Sequence, residues 1–473
     1  MSITLQFIGA LLGLGLPWLL GVLLIVRLIP EPVDGRNTLL LGYGYFIGLL
    51  VITLGMRALE VLELGLMPLN LWLLALLPTA VLMLWAKRTG QFNAWRLKPP
   101  RLTLETLIIA GLLAFLGWRG LGLTLEIIER PLFPWDATMH WATKARVWSE
   151  WQQLLPFVSA EHWLSAQDPW LFTDHHPHYP RTIPLLQTWM NAMLGGGWHD
   201  RLMNLPWAGA YIALGLALFG QLRLAGINAV VAMLGVYLLL SLPLLNTHIA
   251  LAGYADVFLG AFYLLAIMAF YQWARCRTLD QAVLALITGI ACLMIKNEGL
   301  MWLLTLLIGL MALYLRPHRL VLVLAIGLIA GLSALWLLPA DWVIAGHQLG
   351  ALGLGFYPAA ILPLLSSLFA LGSWHLLYWL VVLAVSATLV QCLWSNKHCP
   401  ERPLQAVGLA LGVAYGLLLL LFTTTRYADS LPGLTSVSRI TLHLAPATVF
   451  VLMLLYHHLV RISTPAASLD STP

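Results

Sequence analysis

The residues able to do chemistry in this chain gather in four short stretches. The first is Pro134-Trp135-Asp136-Ala137-Thr138-Met139-His140-Trp141-Ala142-Thr143-Lys144-Ala145-Arg146. Read as a helix, it sets Asp136, His140 and Lys144 at i, i+4 and i+8, so that an acid, an imidazole and an ammonium share one stripe. Such a set suits proton transfer beside fixed positive charge for a departing anion. The plainer reading is an amphipathic interfacial helix whose charges face water, with Trp141 and Trp148 as anchors.

The second stretch, Asp174-His175-His176-Pro177-His178-Tyr179-Pro180-Arg181, holds three histidines and an acid within five residues. These are metal-ligating types, but their spacing fits no standard zinc signature and no thiolate assists. No metal ligand is assigned from the sequence, and a divalent metal stays open as a cofactor. The stretch reads instead as a rigid, Pro-braced loop that touches substrate through His176, His178 and Tyr179.

The third is split between Gly253-Tyr254-Ala255-Asp256, where an acid opens an apolar run, and Lys296-Asn297-Glu298-Gly299, where an ion pair is wedged between two runs. Lys296 and Glu298 could simply neutralise each other at a turn. The fourth is Arg439 and His443, one helical turn apart at the start of the last apolar run, for which snorkelling to the interface is the plainer account. Arg119, Arg426 and Asp341 have no assignment.

The elements that must position these residues are membrane helices. Of 473 residues, 60% are apolar and 10% charged, against roughly 25% charged in soluble proteins, and the mean hydropathy is +0.86. A soluble globular chain is excluded. The net charge of +5, spread over short connections, leaves no nucleic-acid footprint. The four cysteines show no CxxC pairing, and there is no Asn-x-Ser/Thr sequon, which is compatible with a bacterial source. The run from Ile3 to Val26 lacks a basic n-region and a small-residue cleavage site, so it reads as a retained helix.

Apolar runs near 5–26, 38–57, 68–86, 103–118, 204–222, 228–245, 255–274, 279–295, 300–315, 320–338, 374–394, 404–422 and 440–458 predict about 13 spans. The expected fold class is an all-α polytopic membrane protein with one long outer-face loop, 120–203, carrying juxtamembrane helices. Ile183–Leu194 is short and ends in three glycines, and is expected to lie at the outer surface. Lys87, Arg88, Arg96, Lys98 and Arg101 place the third connection inside, and alternation then puts 15 of the 25 basic residues inside. The N-terminus is then outside and the C-terminus cytoplasmic. Ten basic residues remain outside, Lys144, Arg181, Lys296 and Arg439 among them, with Asp136, Asp174, Asp256 and Glu298 nearby. Together they predict a polar, cation-rich pocket at the outer face that suits a lipid phosphate.

Trp135-Asp136 on a long loop, the His/Tyr-Pro run at 175–184, Tyr254-Ala255-Asp256, Lys296 before a span, and Ser438-Arg439 with Leu444-Ala445-Pro446 resemble the GT-C superfamily of membrane glycosyltransferases. The nearest match is the branch related to protein O-mannosyltransferases and lipid A aminoarabinose transferases. The resemblance covers about residues 104–458 and leaves 1–103 as extra N-terminal helices with a basic loop and 459–473 as a cytoplasmic tail. It departs from the family in placing the acidic loop after the fourth span rather than the first.

The resemblance implies sugar transfer from a polyprenyl-phosphate donor to a glycan, lipid or protein acceptor at the periplasmic face of a bacterial cytoplasmic membrane, with inversion. Asp136 matches the family's first-loop acid, which accepts or orients the acceptor's proton. Lys144, Arg181, Lys296 and Arg439 are the expected donor-phosphate ligands, with His140, His176, His178, Tyr179, Asp256, Glu298 and His443 as pocket candidates. Two alternatives stay open: a secondary transporter or lipid-linked-oligosaccharide flippase, and an O-antigen polymerase or ligase.

Overall fold

The computed structural model describes residues 3–29, 33–91, 102–344, 347–369, 371–395 and 398–463. Arg96, Lys98, Arg101 and Lys397, on which the predicted orientation partly rests, and the tail after Ser463 lie outside the described residues.

Nineteen α-helices are described. They are α1 (Ile3–Ile25), α2 (Arg36–Val61), α3 (Pro68–Arg88), α4 (Leu104–Glu129), α5 (Thr143–Trp151), α6 (Ala160–Ser165) and α7 (Thr182–Met193). There follow α8 (Leu205–Leu224), α9 (Ala229–Leu240), α10 (Pro243–Ala250), α11 (Asp256–Cys276), α12 (Leu279–Ile295) and α13 (Gly299–Tyr314). The chain continues through α14 (Pro317–Leu337), α15 (Ile361–Phe369), α16 (Leu371–Trp374), α17 (Leu377–Trp394), α18 (Arg402–Thr424) and α19 (Thr435–Ser463). Among the described residues, strand is confined to two short pairs, Phe157–Val158 parallel to Phe172–Thr173 and Val343–Ile344 antiparallel to His347–Gln348.

This is an all-α, multi-pass membrane protein. Ten described helices are long and apolar enough to cross a bilayer, or 11 if α9 and α10 count as one span bent by 60°. Every predicted run is helical, but α12 and α13, at 17 and 16 residues, fall short of the roughly 20 residues a straight span needs. Local chemistry sets several boundaries. Thr103 and Thr106 form a reciprocal cap at the start of α4, the Asn228 side chain caps α9, and prolines open α3, α8, α10, α14 and α18.

Helices α2, α8, α11 and α19 form the centre of the bundle, whereas α3, α4, α14 and α17 are largely exposed at its rim. Helix α11 is apolar all round and is enclosed all round, as that pattern requires. It meets α19 at Gly260, where a Cβ would come within 2.8 Å of the Leu442 carbonyl and 3.3 Å of the His443 Cα. Helix α7 forms where the short helix Ile183–Leu194 is expected, and 11 of its residues are buried within the protein, with Trp189 donating to the Gly13 carbonyl of α1 at 2.8 Å. Its polar residues find partners within the protein: Gln187 Nε2 donates to Asn204 Oδ1 at 2.9 Å and Thr188 Oγ1 donates to the Pro184 carbonyl at 2.9 Å.

Candidate active site

Asp256 is the first residue of α11 and is 0% exposed. The chain reaches it through Gly253, whose φ of +109° is open to glycine and strained for other residues. Three residues from two other segments converge on its carboxylate. Lys296 Nζ donates to Oδ1 at 3.0 Å, His443 Nε2 donates to Oδ1 at 2.8 Å, and Arg439 donates to Oδ2 from Nε at 3.1 Å and Nη2 at 3.0 Å. A buried carboxylate is sustained only when paired and hydrogen-bonded, and this one is.

Each partner is held from behind. Lys296 leaves the end of α12 with extended backbone (φ −157°, ψ 153°), which turns its side chain toward Asp256, and its ammonium also bonds Glu298 at 2.8 Å. Burial alone would lower the Lys296 ammonium, but Asp256 and Glu298 outweigh it and raise it above the ordinary lysine value. Burial alone would raise the Glu298 carboxyl, but Lys296 holds it below the ordinary carboxylate value. Trp302 Nε1 donates to His443 Nδ1 at 3.3 Å, which assigns the His443 proton to Nε2, the nitrogen that donates to Asp256. Arg439 packs its guanidinium over the Tyr254 ring at 4.6 Å.

Arg439 also extends the centre outward. Its Nη1 forms an ion pair with Asp136, whose side chain is 27% exposed. Asp136 immediately precedes a π-helical turn, Ala137–Ala142, in which the Thr143 N–H bonds the carbonyl of Thr138 five residues back. Such turns insert one residue into a helix and recur at functional sites.

The insertion splits the predicted stripe. Asp136 goes to Arg439, whereas His140 and Lys144 are buried in a second cluster beside the centre. The ammonium of Lys144, 1% exposed, pairs with Asp174 and bonds the carbonyls of His176 at 2.9 Å and His140 at 3.3 Å. Burial nevertheless pulls it below the ordinary lysine value. The account of these charges as simply facing water is therefore corrected. Lys144, expected beside Lys296 and Arg439, is paired with Asp174 in this second cluster.

The His140 ring lies 4.6 Å from His176, 6.0 Å from His175 and 5.7 Å from Tyr179. Burial lowers its pKa, against a partial raise from Asp136 and Asp174. Tyr179 stacks on His176 at 4.5 Å and on Trp141 at 5.1 Å, and burial pushes its phenol up to about 12. His178 and His175 are exposed. Among the described residues, no group of three or more His, Cys, Asp or Glu is placed to hold a metal ion.

Arg181 is exposed at the start of α7. Arg57 Nη2 donates to Thr182 Oγ1 at 2.9 Å. The sequence therefore named Asp136, Asp256, Lys296, Glu298, Arg439 and His443, which come together, but did not pick out Asp174 as the partner of Lys144 or Trp302 as the support of His443. Asp174 sat among other loop acids, and Trp302 carries no distinguishing signal inside an apolar run.

Chemically, the arrangement is a buried carboxylate that fixes two cations, one of which is shared with an accessible second carboxylate. Comparison of the chain with protein-family models, with curated proteins and with solved structures finds no match.

Proposed function

We propose that the chain is a GT-C-type glycosyltransferase that moves a sugar from a polyprenyl-phosphate donor to an acceptor hydroxyl at the outer face of a bacterial cytoplasmic membrane. The observation that carries this reading is the Arg439 guanidinium shared between Asp136 and Asp256. Asp256 is fully buried and serves as the fixed partner, so the exchangeable partner of Arg439 is Asp136.

A donor phosphate competes with Asp136 for Arg439. Its arrival draws Arg439 away and leaves Asp136 as a free carboxylate, more basic than when ion-paired. The acceptor oxygen then attacks the anomeric carbon while its proton passes to Asp136. The bond from that carbon to the phosphate oxygen breaks, and the phosphate leaves with the electron pair, stabilised by Arg439. Attack from the face opposite the leaving group inverts the anomeric centre. Lys296, already engaged by Asp256 and Glu298, holds Asp256 rather than the phosphate.

The test is transfer from a panel of radiolabelled undecaprenyl-phosphate sugars to extracted envelope acceptors by the reconstituted protein. Transfer by the wild type and its loss in Asp136→Asn supports the reading, and equal transfer by both removes Asp136 from the chemistry. The 60° break between α9 and α10 favours a second reading, a transporter or flippase, because carriers use broken helices. Translocation of a labelled lipid in proteoliposomes without any transfer would select it.

A further inference from the structure

Arg119 stands ten residues before Glu129, the last residue of the 26-residue helix α4, so at about 1.5 Å per residue it lies about 15 Å inside that end. Both α4 and Arg119 are exposed on the rim of the bundle. A guanidinium on the exposed flank of a membrane helix is costly unless something neutralises it.

The protein supplies little. Arg119 Nε donates to Asn246 Oδ1 at 3.2 Å, and among the described residues neither Nη group has a partner. Asn246 is itself committed, because its Nδ2 bonds the carbonyls of Leu240 at 3.0 Å and Leu242 at 2.7 Å at the break between α9 and α10. Beside Arg119 lies a groove of about 500 Å³ between α4 and α10. Arg119, Gly122 and Glu126 line it from one face of α4 with Arg130 just past its end, and Asn246 and Thr247 line it from α10. Glu126 is taken up by Arg130 at 3.7 Å, so the uncompensated charge of the groove is positive. Gly122 keeps the groove open, since a Cβ there meets nothing within 4 Å.

We propose that this groove binds the headgroup phosphate of an anionic glycerophospholipid from the surrounding leaflet, with Arg119 as its counter-ion and the acyl chains along the exposed face of α4 at Trp118, which is 78% exposed. The groove opens sideways on a lipid-facing helix, so the abundant lipid of the bilayer is the ligand that reaches it. The site shares no residue with the Asp256 centre and does not rest on the glycosyltransferase reading.

The experiment uses the full chain in phosphatidylcholine nanodiscs containing either phosphatidylglycerol or undecaprenyl phosphate, with retained lipid counted by native mass spectrometry. The wild type is expected to retain phosphatidylglycerol. Arg119→Gln and Gly122→Phe are each expected to lower that retention at least about tenfold, the scale of one charge-assisted hydrogen bond. Gly122→Phe fills the groove but leaves the Arg119–Asn246 bond intact, so it still reports if Arg119→Gln disturbs the broken span. Equal retention of phosphatidylglycerol by the wild type and Gly122→Phe overturns the proposal. Retention of undecaprenyl phosphate in its place overturns the glycerophospholipid assignment.

Discussion

Arg439 pairs with Asp136 although 303 positions separate them, and the same guanidinium holds Asp256 at 3.0 Å. The three side chains come from the N-terminal ends of two helices, α11 and α19, and from the residue just before a π-helical segment. Their convergence makes Arg439 the hinge of the site: any change in what it binds is felt by both acids.

Replacing Asp136 by Asn keeps the shape and removes the charge. Because Asp136 is at the accessible end of the network, the variant should fold and melt within a few degrees of the wild type while losing about 100-fold or more in transfer rate, the usual contribution of a general base. Initial rates paired with thermal melting check both halves, and a variant that loses stability and activity together would make the role of Asp136 structural.

Asp256→Asn leaves Lys296 and Arg439 facing one another without their shared buried carboxylate. The expected cost is about 3–5 kcal/mol, the range for breaking a buried ion pair. A double-mutant cycle with Lys296→Gln should show strong coupling, because the second change removes the cation that the first one stranded. Additive losses would sever the functional link between the two residues.

Gly260→Val tests the contact that brings His443 and Arg439 to Asp256. An added Cβ meets the Leu442 carbonyl at 2.8 Å, inside van der Waals contact, so α19 must move away from α11. A loss of about 1–3 kcal/mol is expected, the range for overpacking. Transfer should fall further than stability does, because the displaced helix carries Arg439. Unchanged kinetics in a folded Gly260→Val protein would argue against tight positioning.

The pH dependence follows from His140. Burial lowers its pKa in the folded chain, so the unfolded chain binds the proton first as the pH falls. Stability is therefore full above the ordinary histidine range near 6.5 and declines as the pH drops below it. Melting temperatures at pH 8 and pH 5.5 should differ for the wild type and differ less for His140→Gln. An identical difference in both would assign the effect to other groups.

The membrane class, the approximate positions of the helices and six members of the central cluster were legible in the sequence, for a direct reason. Apolar runs of bilayer length admit little but helices, and ions at their edges must find partners. Asp256, Lys296, Glu298, Arg439 and His443 stood out because each is a charged or titratable residue at the margin of an apolar run, and Asp136 because it opens an i, i+4, i+8 stripe with His140 and Lys144.

Which of those residues share a site was decided by tertiary structure alone. A one-residue insertion in the turn after Asp136 sends that acid to Arg439 and sends Lys144 to Asp174, a division invisible to helical periodicity. Burial of α7, the support of His443 by Trp302 and the exposure of Arg119 beside an open groove depend on how helices far apart in sequence pack. The sequence by itself determined which groups needed partners, because the cost of an unpaired charge in a membrane is local. Only the fold decided which partner each one met, because that depends on contacts between segments tens to hundreds of residues apart.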